Sequence, residues 1–86
     1  MSKLEKIISK ILSTNSDNNI KFSELVNLLL NLGFEMRISG SHHIFRKEGI
    51  FAKVNWQKDG DLAKPHQVKQ VRRIVLDYKL GKEKDV

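Results

Sequence analysis

Apolar residues recur along this chain with two different periods, and the change from one to the other organises it. Leu4, Ile7, Ile8, Ile11 and Leu12 fall on one stripe of a 3.6-residue helix, with Lys3, Glu5, Lys6, Ser9 and Lys10 filling the remainder. Residues 3–12 therefore read as a helix. Ser13–Asn19 is a polar, turn-forming stretch that breaks the pattern. A second helix is expected from Phe22 or Ser23 to Asn31 or Leu32. Phe22, Leu25, Val26, Leu28, Leu29 and Leu32 cover one face, and Leu30 widens it beyond the usual single stripe. So broad an arc predicts two neighbours, a sheet and the first helix. Gly33 suits the position just past a helix end, where a left-handed backbone is needed.

The period then falls to two. Phe34, Met36 and Ile38 alternate with Glu35 and Arg37, which predicts a strand with one dry face. Ser39-Gly40-Ser41 is a turn, and His42–Arg46 a second strand. Lys47-Glu48-Gly49 is another turn, and a third strand runs from Ile50 or Phe51 to Asn55 or Trp56. Such short connections favour an antiparallel meander. Pro65 opens a last helix, where its missing N–H costs nothing, and Val68, Val71, Ile74, Val75 and Tyr78 form its buried stripe. The fold class is thus α+β in the order α-α-β-β-β-α. A three-stranded antiparallel sheet with one apolar face calls for helices on that face alone, leaving the other open. We divide one domain, 1–86, into an extension helix (3–13), a core (22–79) and a frayed tail (80–86).

Composition narrows the function classes. The chain has no cysteine, which excludes disulfides and cysteine-based zinc fingers. No apolar run approaches the ~20 residues that span a bilayer, and Met1–Lys10 has no signal-peptide core, so we expect a cytoplasmic protein with no membrane association. The net charge of +6 is concentrated. Residues 37–79 hold ten Lys or Arg against four acids, while 1–36 and 80–86 are each balanced. Such asymmetry suggests a polyanion or an acidic protein as partner, against the plainer reading of a solvated basic surface.

The open sheet face is where chemistry is sought. Phe45 is the natural core residue of the second strand. His43 shares its side, while His42, Ile44 and Arg46 face the other way. His42 then stands at the mouth of the strand, just after a Gly-Ser turn. An imidazole exchanges a proton near neutrality, and RNA brings its own nucleophile, the 2′-hydroxyl. His42 with nearby cations suffices for slow RNA cleavage without metal. The plainer reading is a histidine that only hydrogen-bonds the turn. Adjacent residues on a strand face opposite ways, so His42 and His43 are a poor metal pair, and no metal or other cofactor is expected. No paired carboxylates, Gly-rich phosphate loop or Ser/His/Asp spacing stands elsewhere, and His66 reads as a surface residue. Trp56 is either core packing or a base-stacking residue. The last helix, with Lys64, Lys69, Arg72 and Arg73, either tracks a phosphate backbone or is simply solvated.

Gly33-Phe34, Gly40-Ser41-His42-His43-Ile44-Phe45 and Ala63-Lys64-Pro65 together resemble the HicA family of toxins, over about Phe22 to Tyr78. The resemblance implies a double-stranded-RNA-binding-like fold. It implies the toxin of a type II toxin–antitoxin system, an endoribonuclease (mRNA interferase) that cleaves mRNA and inhibits translation. It also implies a HicB-like antitoxin that masks the histidine. The family's catalytic histidine follows the Gly-Ser pair, which is His42 here, with Gly40 and Ser41 shaping its turn. Arg37, Arg46, Lys64, Lys69, Arg72 and Arg73 are candidates to hold RNA. Minimal members begin near the second helix, so residues 1–19 are an extension that covers the core, self-associates or touches the antitoxin. Val54-Asn55-Trp56-Gln57 replaces the more usual strand ending. Two other readings stand beside the enzyme: a non-catalytic RNA-binding module on the same fold, and a domain that binds an acidic protein.

Overall fold

A computed structural model describes residues 3–13 and 18–78 of the 86. Helix α1 spans Lys3–Leu12 and α2 spans Phe22–Asn31. Strands β1 (Glu35–Ser39), β2 (His42–Lys47) and β3 (Ile50–Gln57) follow, and α3 (Pro65–Tyr78) closes the chain. The expected tail, 80–86, and most of the polar linker lie outside the described residues. The sheet is antiparallel in the order β1-β2-β3, so the meander and the α-α-β-β-β-α order stand as read. This is the arrangement of the double-stranded-RNA-binding-like fold.

One apolar cluster joins the elements. Ile11 from α1 and Phe22, Leu25, Leu28 and Leu29 from α2 meet Phe45, Val54 and Trp56 from the sheet and Val68, Val71, Ile74 and Val75 from α3. All three helices therefore lie on one sheet face. Where an apolar stripe runs past its neighbours, it faces water. Leu12 is exposed at the margin of the α1 stripe, and Leu30 does not widen the buried face of α2. Ile38 is 56% exposed on edge strand β1, because no helix covers that end. Tyr78, expected in the α3 stripe, sits exposed at the helix end.

The helix termini follow capping chemistry. Glu24 accepts the Lys21 N–H at 2.9 Å at the start of α2. At its end, Phe34 N–H donates to Leu29 O and Gly33 N–H to Leu30 O, a Schellman pair that requires Gly33 at φ 97°. This turn converts helix into β1 and fixes which residues of the strand face the core. Gln67 caps α3 by accepting the Lys64 N–H at 2.9 Å, behind Pro65. Two features were not visible in the pattern. Residues 20–22 pair with 61–63 through Phe22 N–H to Asp61 O and Ala63 N–H to Ile20 O, pinning the β3–α3 loop beside α2. Arg72 donates through Nε to Ile11 O at 2.8 Å, tying α3 to the last turn of α1.

Candidate active site

The second strand divides its two histidines between two environments. His43 sits on the core side, half-buried, its ring edge-on to Phe22 at 5.1 Å. His42 is exposed on the open face. A two-residue turn presents it: Ser39 and His42 pair across β1 and β2, leaving Gly40 and Ser41 as the loop. Gly40 takes φ 63°, the positive value that a tight hairpin requires at its first loop residue.

β3 supplies the partners. Gln57 lies opposite His42, and Asn55 lies diagonally across from it. Nδ1 of His42 and Oδ1 of Asn55 are 2.9 Å apart. An amide oxygen accepts only, so Nδ1 is the donor in this contact, and in the neutral ring the lone pair is then on Nε2. Beside it, Gln57 Nε2 donates to Ser41 Oγ at 3.1 Å. Two cross-strand bonds thus hold the turn and the ring together. The result is an accessible imidazole with one nitrogen anchored and the other free to take a proton.

Other cations share this face. Arg37 lies opposite Ile44 and Arg46 opposite Glu35, and both arginines are exposed. The remaining predicted RNA contacts sit elsewhere. Lys64 occupies the cap of α3 and pairs with Asp59 at 3.3 Å. Lys69 and Arg73 lie on the outer side of α3, on the far side of the sheet from His42, and Arg73 pairs with Asp77 at 3.6 Å. Arg72 holds α1 and is partly buried, so its guanidinium serves the packed layer. The structure thus puts Arg37, Ser41, His42 and Arg46 on one open face, with Arg46 four strand residues from His42, and leaves the helix cations apart. Trp56 is core: it is 3% exposed, packs on Phe45 and Phe22, and donates from Nε1 to Gln70 at 2.8 Å. Its base-stacking reading is therefore withdrawn.

Asn55 and Gln57 had no assigned role in the sequence. Their signal was the alternation of β3, which puts residues 53, 55 and 57 on the face of His42 once the hairpin register is known. Among the described residues, no three His, Asp or Glu side chains gather as a metal site. No helix there is long and apolar enough to cross a membrane.

A family profile described as the HicA toxin of bacterial toxin–antitoxin matches residues 22–75. That span runs from the first residue of α2 to within the last turn of α3, includes the whole sheet, and leaves α1 outside. Neither the curated proteins nor the solved structures give a match.

Proposed function

This chain belongs to the HicA toxin family of bacterial toxin–antitoxin systems, and from that premise we propose that it is a metal-independent endoribonuclease in which His42 is the general base. The observation that carries the reading is the anchored, exposed ring: Nδ1 held by Asn55 at 2.9 Å on the uncovered sheet face. Nε2 takes the proton of a ribose 2′-hydroxyl. The oxygen attacks the adjacent phosphorus, and the bond from phosphorus to the 5′-oxygen breaks. The departing oxygen takes a proton from solvent, and the imidazolium returns its own to solvent. The products are a 2′,3′-cyclic phosphate and a 5′-hydroxyl end. Arg37 and Arg46, exposed on the same face, are proposed to offset the charge that gathers on the phosphate.

Induced expression of the chain in bacteria, with bulk RNA followed over minutes, tests this reading. Wild type is expected to arrest growth and deplete mRNA, and His42→Ala to do neither. Arrest with equal RNA loss from both proteins would contradict it. Arrest by both without RNA loss would favour the non-catalytic RNA-binding module.

The cognate antitoxin, proposed to be of HicB type, would act by covering the open face. Deuterium exchange at the His42 C2 position is then expected to slow several-fold in the complex. Equal exchange in free and bound toxin would exclude direct masking.

A further inference from the structure

Phe51 is the most exposed large apolar side chain among the described residues, at 87%. Its position follows from an irregularity in β3. Phe45 pairs with Val54, but Lys47 pairs with Ile50, so Phe51, Ala52 and Lys53 stand opposite Arg46 alone. A bulge of this kind bends the strand and re-aims its side chains. Ala52 turns back onto the core, and Phe51 and Lys53 face solvent.

The bulged backbone is held from behind by α3. Gln70 Nε2 donates to Lys53 O at 2.7 Å while its Oε1 accepts from Trp56, and the Tyr78 hydroxyl accepts the Phe51 N–H at 3.5 Å. β3 is an edge strand, and these side chains satisfy backbone groups that no further strand reaches. Phe51 is therefore an exposed ring on a fixed support.

A shallow groove of about 1060 Å³ runs across this part of the open face. Phe51 and Asn55 both line it, with Ile44, Arg46 and Lys53 between them. Four residues of strand separate Phe51 from Asn55, or ~13 Å. The groove therefore leads from the exposed ring to the residue that anchors His42. The side-chain cations of Arg46 and Lys53 make no hydrogen bond or ion pair with another described side chain and stay available to phosphate, although Glu35, opposite Arg46, and Glu48 line the same groove.

We propose that Phe51 is a stacking platform for an unpaired nucleobase of a single-stranded RNA laid along this groove, with Arg46 and Lys53 on its phosphates. The proposal rests on the ribonuclease reading for the identity of the polyanion. It adds where the strand lies and that the strand is single. A ring can stack only on a base that a duplex does not already hide, and one aromatic flanked by cations is how single strands are gripped without sequence readout. A protein partner fits less well: Phe51 is the one exposed apolar side chain lining the groove, and Ile44, Ile50 and Ala52 beside it are half-buried, little for the core of a stable interface.

The test measures binding of a labelled single-stranded oligoribonucleotide, and of an RNA duplex of equal length, to His42→Ala protein, which is expected to leave RNA uncut. Adding Phe51→Ala is expected to weaken the single strand about 10-fold or more, and the duplex by much less. Phe51→Trp is expected to keep the affinity and show indole quenching as RNA binds. The exposure of Phe51 makes these variants safe for the fold, and matching melting curves check it. Unchanged single-strand affinity in Phe51→Ala, or equal losses for single strand and duplex, overturns the platform. So does a Phe51→Ala variant that loses only the antitoxin. Cleavage by His42-intact protein is assayed in parallel. Cleavage with a Phe51→Ala variant of normal affinity sinks the platform alone. Absent cleavage with Phe51-dependent single-strand binding sinks the nuclease reading alone.

Discussion

The two faces of the sheet differ most sharply at two neighbouring residues. His42 and His43 are consecutive, identical in chemistry and separated only by the pleat. His42 meets solvent and a polar amide, while His43 meets Phe22 and the core. The packed face carries Ile11, Phe45 and the α3 valines, and even its arginine, Arg72, is engaged in joining helices. The open face carries Arg37, Arg46, Lys53 and Asn55, with no helix over them. A small basic domain thus concentrates its stability on one side of a sheet and its accessible chemistry on the other. Residue type alone does not assign a role; the strand register does.

That division is open to attack from both sides. The largest expected effect on the packed face is at Ile11, which is fully buried. Ile11→Ala should cost about 2–5 kcal/mol, a large share of the stability of so small a domain. Urea unfolding measures it, and RNA cleavage below the transition should stay within a few-fold of wild type. A near-neutral variant would mean that α1 is an appendage and not part of the core. On the open face, Asn55→Ala should leave unfolding unchanged. Cleavage should slow about 10-fold, because an imidazole freed from its anchor spends less time correctly placed. An unaltered rate would show that the 2.9 Å contact has no bearing on the ring's work. The smallest effect is at His43. Its Nδ1 is buried with no hydrogen-bond partner among the described residues. His43→Phe keeps a ring against Phe22 and removes that unsatisfied nitrogen, so stability should rise by about 1 kcal/mol with cleavage retained. Loss of cleavage in a stably folded His43→Phe would break the division at its narrowest point.

Most of the elements could be read from periodicity because burial is one-sided. The dry faces at Leu25, Leu28 and Leu29, at Phe45, and at Val68, Val71 and Val75 left unambiguous stripes. The resemblance around Gly40-Ser41-His42 indicated the turn and the histidine together. Period says which face a residue is on, but not how far the neighbouring layer extends. That is why Leu12, Leu30 and Ile38 look like core residues in the sequence and are exposed in the structure. The bulge was equally hidden. A tight hairpin closing at Lys47 and Ile50 would set His42 directly opposite Asn55, and the slip within β3 brings Gln57 there instead. Parity survives a slip of two residues, so Asn55 stays on the correct face and reaches His42 diagonally. The packing role of Arg72 was hidden for a different reason. A cation at the margin of an amphipathic helix looks solvated in sequence, and only the location of the α1 carboxyl end shows that its partner is the Ile11 carbonyl.

Whether the open-face imidazole carries the reaction is decided by single-turnover cleavage of an oligoribonucleotide by purified wild type and His42→Ala, with a chelator present and thermal unfolding measured on the same samples. The predicted result is a fall of at least about 100-fold in rate, the usual contribution of a placed general base, with unchanged unfolding. A His42→Ala protein that is equally stable and cleaves within a few-fold of wild type would contradict it.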